Sequence, residues 1–423
     1  MRIHLKKANK QKYSILYICF PRIQLMNFIK KANIAQILFL ILVLSSCGKD
    51  KSSNAALAET VEDTLPKMKP LLHEKKLPAS YVATIKNKVD SFYNKNWPNN
   101  SMNGGFLVAR NGEIIYEKYE GYANKNQKTE IDRNTPLHIA SVSKVLTATA
   151  VLKLVNAGKF DLDQKVNTIL KTFPYEDITV RMLLNHRSGM RNYAYFTDKD
   201  KTIWDRHNQL TNQDILNIMA TKDIGLEYKP NTRFTYCNTN YAMLALIIEK
   251  ITGLSYKEAM TQMIFKPLGM THTYVFDIDK DRKTAVPSYK GNNVEIGIDY
   301  LDAVYGDKNV YSTPRDLLKF DRARNAPNFL KPELLKQVYE GYSNERKGEK
   351  NYGLGIRMIN WYSGQHFYFH NGWWHGNTSS YITLQKENVT IIALSNKFTR
   401  KTYAVRKLAP IFGDYPFVFK DLD

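Results

Sequence analysis

The stretch at residues 138–144 reads His138-Ile139-Ala140-Ser141-Val142-Ser143-Lys144. It continues through apolar and small residues to Leu152, a composition typical of a buried helix. Positions i and i+3 of a helix share a face, so the amine of Lys144 can reach the hydroxyl of Ser141. An amine there can take the hydroxyl proton and make the serine a nucleophile. Alone the pattern is weak, because Ser46-Cys47-Gly48-Lys49 repeats it in a segment unsuited to such chemistry.

The composition is that of a folded globular protein, with 43% hydrophobic and 24% charged residues in a chain of 423. The formal net charge is +21, and removing the eight Lys/Arg of residues 1–46 leaves +13. No block of five like charges appears, so we interpret the remainder as a lysine-rich solvated surface. Since no recognition helix or aromatic-basic motif accompanies the charge, we expect no nucleic-acid partner. Three cysteines, Cys19, Cys47 and Cys237, do not indicate a disulfide framework.

The N-terminal segment has the pattern of a secretory leader. A charged start, Met26-Asn27-Phe28-Ile29-Lys30-Lys31, precedes an apolar run over 34–44 that is too short to span a membrane. The run ends in Leu44-Ser45-Ser46-Cys47, which resembles the lipobox of bacterial lipoproteins, where the cysteine is acylated. We expect residues 1–46 to be a signal peptide, with 1–25 a candidate start-site artefact upstream of Met26. Residues 47–78 would be the lipidated Cys47 and its tether, and residues 79–423 the folded domain.

The folded part is predicted to carry strands at both ends and helices between them. Ser80 is a candidate cap for a first helix, and two strands over 105–116 are joined by Asn111-Gly112, a dipeptide typical of tight hairpins. Period-two runs over 366–370, 378–385 and 389–395 predict C-terminal strands. We therefore expect an α/β (α+β) fold, with an antiparallel sheet built from the N-terminal hairpin and the C-terminal strands. Helices would flank it, an inserted helical lobe would lie beside it, and a cleft would lie at the junction.

Two further motifs give the first one its weight. Tyr236-Cys237-Asn238 stands at the entrance of an apolar helical segment, and His370-Asn371-Gly372 stands at the end of a strand. Ser-x-x-Lys, Tyr-x-Asn and His-x-Gly, in this order, resemble the serine β-lactamase-like family. That family includes class C β-lactamases, D-alanyl-D-alanine carboxypeptidases, D-aminopeptidases and related esterases. Its fold is the β-lactamase/transpeptidase-like fold, and the resemblance runs from about residue 100 to 400.

The resemblance implies a role for each motif residue. Ser141 would form an acyl-enzyme, Lys144 would ease removal of its proton, and Tyr236 would act as second base or relay. Asn238, His370 and Gly372 would contact the substrate. Backbone N–H groups of Ser141 and Trp373 would form the oxyanion hole. No metal or cofactor is expected, and the partners would be a small-molecule or peptide substrate and, through the lipid anchor, a membrane; we expect a monomer.

Departures from the family pattern bear on the substrate. His370 stands where class C β-lactamases and many carboxypeptidases carry a lysine that pairs with a substrate carboxylate, and Asn371 replaces a common threonine. Arg181 stands where class A β-lactamases carry their glutamate. We therefore favour an amide or ester hydrolase acting on D-amino-acid peptides of cell-wall type. A class C-like β-lactamase and a non-catalytic binder of wall peptides on the same fold remain the alternatives.

Two residues near the motifs have simpler interpretations. His186, in Leu183-Leu184-Asn185-His186-Arg187-Ser188-Gly189, matches a family position but is interpreted as structural. Cys237 is interpreted as a small buried thiol. We also expect five aromatic residues to line the cleft: Tyr193, Tyr195, Phe196, Trp373 and Trp374.

Overall fold

A seven-stranded antiparallel sheet organises the computed structural model, which describes residues 76–199, 201–345 and 348–417. Its strands are β1 (Gly104–Arg110), β2 (Glu113–Glu120), β10 (Lys350–Tyr352), β11 (Arg357–Asn360), β12 (His366–Trp374), β13 (Asn377–Leu384) and β14 (Val389–Ser395). They lie side by side in the order β10-β11-β12-β13-β14-β1-β2. Smaller sheets use β3 (Tyr122–Asn124), β4 (Thr129–Glu130), β5 (Leu137–His138), β6 (Tyr274–Val275), β7 (Ser288–Tyr289), β8 (Glu295–Ile296) and β9 (Val310–Ser312).

One α-helix precedes β1 in the sequence, and the other described α-helices lie between β2 and β10. They are α1 (Ala79–Asn96), α2 (Ser143–Asn156), α3 (Val166–Ile169), α4 (Val180–Leu184), α5 (Tyr193–Lys199), α6 (Asn212–Thr221), α7 (Asn238–Thr252), α8 (Tyr256–Met260), α9 (Ile278–Asp281), α10 (Pro314–Arg324) and α11 (Pro332–Val338). Short 3₁₀ segments cover Pro98–Asn100, Ala140–Val142 and Lys401–Ile411, and a π segment covers Thr261–Phe265. Within the described ranges, no helix combines the length and apolar character that crossing a bilayer requires.

The two ends of the folded part meet in the main sheet, as predicted. Strand β14 pairs on one side with β13 and on the other with β1, where Gly104 faces Ser395 and Arg110 faces Val389. The β1–β2 hairpin turns at Asn111 and Gly112, whose φ angles of 54° and 78° are those of a tight turn. The expected antiparallel sheet is therefore confirmed, and β10 and β11 extend it beyond the strands that the sequence predicted.

The two faces of the sheet carry separate hydrophobic clusters. Helix α1 covers one face together with the C-terminal 3₁₀ segment, and it begins at Ala79 after Pro78, so Ser80 is not its cap. Helices α2, α7 and α10 belong to the larger cluster on the opposite face. Almost every residue of α2 is buried, because the helix packs against α7, the Ala140–Val142 turn and the π segment. All the described residues lie in one compact unit.

The leader predictions concern a different part of the chain. The signal peptide, Cys19, the proposed lipidation site Cys47 and nearly all of the tether lie outside the described residues.

Candidate active site

Ser141 lies in the 3₁₀ turn that leads into α2, at the junction of the sheet and the helical region. The preceding residue, Ala140, has a φ of 47°, a left-handed conformation that costs a residue with a Cβ. Two hydrogen bonds hold the turn there. His138 Nδ1 accepts from the Ala140 backbone N–H at 3.0 Å, and Ser379 Oγ donates to Ile139 O at 2.6 Å. One residue of β5 and one of β13 therefore hold the backbone at the start of the strained turn.

Lys144 lies on the first turn of α2 and has no exposed surface. Its Nζ donates to Ser141 Oγ at 3.1 Å and to the backbone oxygen of Asp307 at 2.7 Å. The rings of Tyr236 and Tyr241 lie around the same nitrogen, with centres 5.1 and 5.6 Å away. The structure thus brings the serine and the amine of the first motif into direct contact, and it encloses the amine.

A buried polar cluster fixes the carbonyl to which Lys144 donates. Asp307 Oδ2 accepts from Tyr193 Oη at 2.8 Å and lies 3.6 Å from Lys308 Nζ, which itself donates to Tyr193 Oη at 2.6 Å. Burial lowers the pKa of Lys308, and the adjacent Asp307 carboxylate opposes that effect. Sequence reasoning missed this contribution, because Tyr305-Gly306-Asp307-Lys308-Asn309 reads only as a polar loop.

Tyr236 lies two residues before α7, with the centre of its ring 5.1 Å from Lys144 Nζ. Asn238 is the first residue of α7, and its Oδ1 is buried and accepts no hydrogen bond in the structure. Between them, Cys237 is buried, and burial raises the pKa of its thiol to about 11, so it stays protonated at neutral pH. The segment therefore presents a phenol and an amide acceptor to the site and keeps the thiol out of the chemistry.

Arg357 of β11 is a charged residue that the motifs did not predict. Its guanidinium carbon lies 4.5 Å from the centre of the Tyr236 ring, and the side chain is half-buried. Among the described residues, no carboxylate lies within ion-pair distance of it. One signal in the sequence was available: Arg357 interrupts the apolar run Leu354-Gly355-Ile356-Arg357-Met358-Ile359. The site therefore holds an uncompensated positive charge beside Tyr236.

The side chain of His370 does not supply a positive charge to the site. It is completely buried on β12, its Nε2 lies 3.1 Å from Tyr352 Oη, and its Nδ1 lies 2.9 Å from Asn371 O. Burial lowers its pKa well below the ordinary value, and the nearby cations Arg357 and Lys144 lower it further. The imidazole is neutral and engaged at both nitrogens, so its effect on a substrate would pass through Tyr352 or the strand rather than through direct contact.

Gly372 brings β12 directly against the nucleophile turn. A Cβ at this position would lie 2.9 Å from Ser141 N and 2.5 Å from Ile139 O, so only glycine permits the approach. From His370 to Trp374, β12 pairs with β13 and with no other described strand, because its pairing with β11 ends at Phe369. The strand therefore offers an unpaired edge beside Ser141, which is where an extended substrate can lie.

The expected aromatic wall is wrong in part. Tyr193 and Phe196 are 1% and 7% exposed and belong to the core, so neither can wall an open cleft. Trp373 and Tyr195 are largely exposed, and the Trp373 ring contacts Phe398, with the ring centres 6.1 Å apart. Trp374 is half-buried and donates from Nε1 to Asp302 at 2.6 Å.

Two other sequence interpretations can be compared with the structure. Arg181, at the position that lacks a glutamate, forms a two-point ion pair with Asp163, with both N–O distances 2.7 Å. It is a structural residue of α4. In the part of the chain that the structure describes, no group of three His, Cys, Asp or Glu side chains is arranged to hold a metal ion.

Comparisons with known proteins identify the family of the chain. A family model described as Beta-lactamase matches residues 93–411. Penicillin-binding protein 4* of Bacillus subtilis (strain 168) is 30% identical over 315 residues, which are 70% of this chain and 68% of that protein. The chain spans between 54% and 68% of the length of that relative and two other curated relatives.

Two solved structures share the fold. The penicillin binding protein from Bacillus halodurans matches with a TM-score of 0.65 at 20% identity, covering 80% of this chain and 100% of that one. The D-amino acid amidase from Ochrobactrum anthropi, solved with L-phenylalanine amide, matches with a TM-score of 0.60 at 22% identity. This second match covers 78% of this chain and 96% of the amidase.

Proposed function

Because the chain belongs to the β-lactamase family of serine hydrolases, we propose that it forms an acyl-enzyme through Ser141 on amide or ester bonds of cell-wall-type D-amino-acid peptides. The observation that carries the proposal is the 3.1 Å hydrogen bond between Lys144 Nζ and Ser141 Oγ. A serine that meets a buried amine at a fixed, strained turn has the contact that nucleophile activation needs.

In the acylation step, Ser141 Oγ attacks the substrate carbonyl carbon and the new C–O bond forms. Its proton passes through Lys144 and Tyr236 to the leaving-group nitrogen or oxygen as the scissile bond breaks. Backbone N–H groups of Ser141 and Trp373 stabilise the oxyanion. In deacylation, Tyr236 takes a proton from the attacking water, and Ser141 Oγ regains a proton as the acid is released.

The substrate class follows from the polar groups that the site leaves available. Asn238 Oδ1 is an unused acceptor for a substrate N–H, as an amide substrate would provide. Arg357 is an uncompensated cation beside Tyr236, suited to a terminal carboxylate, and it takes the role that the neutral His370 cannot fill. A peptide with a free C-terminal carboxylate satisfies both groups. Relatives named penicillin-binding proteins and a D-amino acid amidase of the same fold support this choice.

A class C-like β-lactamase is the second candidate for the site. Penicillins and cephalosporins also carry a carboxylate, on the ring fused to the β-lactam, that Arg357 could bind. Against it, Asn371 Oδ1 accepts a hydrogen bond from Ser380 Oγ at 3.0 Å, so this side chain is already engaged within the sheet. A non-catalytic wall-peptide binder is the third candidate, and the direct contact between Lys144 and Ser141 argues against it.

The first experiment is a substrate panel on purified wild type, Ser141→Ala and Ser143→Ala. The panel contains nitrocefin, p-nitrophenyl esters and peptides ending in D-Ala-D-Ala. Ser143 is the matched control, since it is a buried serine two residues away that accepts from Val310 N at 3.2 Å. We expect Ser141→Ala to abolish turnover and acyl-enzyme labelling, and Ser143→Ala to keep both. Labelling that survives in Ser141→Ala would sink the proposal, and peptide binding without turnover in the wild type would favour the binder.

The second experiment tests Arg357 as the carboxylate anchor. Arg357→Gln should lower kcat/KM for a D-Ala-D-Ala peptide by about 10- to 100-fold, the loss typical of a charge-assisted contact. The same peptide with an amidated C-terminus should be cleaved equally by wild type and variant. Arg282→Gln, an exposed arginine at the end of α9, serves as the charge-matched control. Equal losses on both peptides would assign Arg357 to the support of Tyr236 instead.

We also propose that the protein works at the cell envelope, anchored through acylated Cys47. The lipobox-like segment and the penicillin-binding relatives support this location. Cys47→Ala should abolish metabolic labelling with a radioactive fatty acid and release the protein from the membrane fraction. A Cys47→Ala protein that still incorporates the label would refute lipidation at this residue.

A further inference from the structure

His186 is the buried residue of the Leu183-Leu184-Asn185-His186-Arg187-Ser188-Gly189 segment that no step of the proposed reaction uses. It follows α4, has no exposed surface and adopts a left-handed φ of 59°. A left-handed backbone and the burial of a polar ring both cost free energy, so a histidine is not expected at this position if it only fills space. Its contacts indicate what it does there.

Two hydrogen bonds connect His186 to the residues on either side of Tyr236, and a third connects it to Asn240. Its backbone oxygen accepts from Thr235 N at 2.9 Å, and its Nδ1 accepts from Cys237 N at 3.2 Å. The side-chain amide of Asn240, one turn into α7, lies 3.1 Å from the same Nδ1. A backbone N–H can only donate, so Nδ1 is unprotonated and the neutral ring carries its hydrogen on Nε2. His186 therefore holds the backbone on both sides of Tyr236, at Thr235 and at Cys237.

The ring of His186 also packs on the ring of Tyr236. Their centres are 4.4 Å apart, and the rings of Tyr352 and Tyr241 close the other sides at 4.8 and 5.1 Å. His186 Nε2 is buried in this aromatic box without a hydrogen-bond partner. Burial, followed by Lys144 and Arg357, lowers the pKa of the imidazole, so the ring stays neutral. A charged ring would place a proton on Nδ1 and lose both donors.

We propose that His186 is a positioning residue that fixes the backbone and ring of Tyr236 for proton transfer. It acts through Tyr236, so the inference rests on the proposed function. Both parts of the side chain are needed. The acceptor at Nδ1 holds the backbone next to Tyr236, and the flat ring fixes the orientation of the Tyr236 phenol. Asparagine can supply the acceptor and tolerates the left-handed backbone, and phenylalanine can supply only the ring. The two substitutions therefore separate the two contributions.

The test is a double-mutant comparison of acylation rates. His186→Asn and His186→Phe are each made in wild type and in Tyr236→Phe, and ester turnover and thermal stability are measured for every protein. We expect either change alone to lower kcat by about 10- to 100-fold with little change in KM, as a misplaced catalytic group does. In the Tyr236→Phe background neither change should lower kcat further, because the group that His186 positions is gone.

The matched control is His138→Asn. His138 is equally buried and also accepts a backbone N–H, but it does so beside Ser141. Its loss in kcat should persist in the Tyr236→Phe background. If the His186→Asn loss persists there as well, or follows the fall in melting temperature across the variants, His186 is only structural and the inference is overturned. Wild-type kcat in Tyr236→Phe would instead overturn the role of Tyr236, and turnover by Ser141→Ala would overturn the proposed function itself.

Discussion

Lys144 is an amine that the fold removes from water, and its surroundings decide how that is tolerated. Burying a polar amino group costs free energy unless hydrogen bonds replace its hydration. Here the Asp307 carbonyl, the Ser141 hydroxyl and two aromatic faces surround the nitrogen. Since two acceptors fix its direction, the amine cannot turn away from the serine. The same burial makes the site dependent on neighbours that no short motif contains.

Buried histidines give the protein a predictable acid sensitivity. Burial lowers the pKa of His138 to about 4, and it lowers the pKa of His186 and His370 well below 6.5. These groups bind protons more readily in the unfolded chain than in the folded one. Their contribution to stability is therefore complete above pH 6.5 and is lost as the pH falls toward 4. His138 alone accounts for about 3 kcal/mol over that window.

Urea unfolding at pH 7.5, 6.0 and 5.0 checks this expectation. The free energy of unfolding should fall with pH in the wild type and fall less steeply in His138→Asn. His207→Asn is the control, because the side chain of His207 is 96% exposed. Parallel pH profiles for wild type and His138→Asn would contradict the assignment.

Strand β12 is the element on which the site depends most closely, because its glycine lies against the nucleophile turn. In Gly372→Ala the new Cβ would meet Ser379 Oγ at 2.3 Å and the backbone at Ile139 O at 2.5 Å. Backbone atoms cannot give way, so the strand or the turn must move. We expect a stability loss of about 1–3 kcal/mol, typical of overpacking. Esterase activity should fall by at least about 100-fold, since ångström displacements disable a catalytic group.

The control for this variant is Gly225→Ala, because a Cβ at Gly225 would meet no atom within 4 Å. It should keep its activity and melting temperature. A Gly372→Ala protein with wild-type turnover would show that β12 does not define the geometry around Ser141.

The elements that the sequence predicted are those with a strong local signal. Asn111-Gly112 predicted the hairpin, and the period-two runs predicted the C-terminal strands β12, β13 and β14. Strands β10 and β11 were missed because they are short and because β11 begins at a charged residue, Arg357. Ser80 failed as a cap because Pro78 already stands at the N-cap position. The local sequence pattern alone does not predict short strands or the exact start of a helix.

The site was predictable only where one segment carries its own chemistry. Ser141, Lys144 and Tyr236 belong to short motifs, and the structure brings these three residues together. Asp307 and Arg357 come from segments distant in sequence, and their roles depend on which loop and strand the fold places beside Lys144 and Tyr236. Contacts of this kind are set by tertiary packing and leave no local spacing to detect.

At the scale of the whole molecule, one sheet joins the two hydrophobic clusters, so they should unfold together. Ile391 and Ile392 are adjacent on β14, fully buried, and face opposite clusters. Replacing either with alanine should cost about 2–5 kcal/mol. Each variant should keep a single transition that fluorescence and far-ultraviolet circular dichroism report at the same urea concentration. Two separated transitions in either variant would mean that the clusters unfold independently.

The position of β14 between β13 and β1 also constrains how the protein is made. During synthesis, β1 emerges from the ribosome early, and its partner edge must wait until residues 389–395 have been translated. Until then the nascent chain holds an open strand edge and half a core, which favours chaperone binding over folding. A chain that cannot close its sheet before its last strand has been made stays unfolded while it is synthesised. Under the envelope location proposed above, this delay would keep the chain unfolded for export, and folding would begin once the two ends of the sheet can meet.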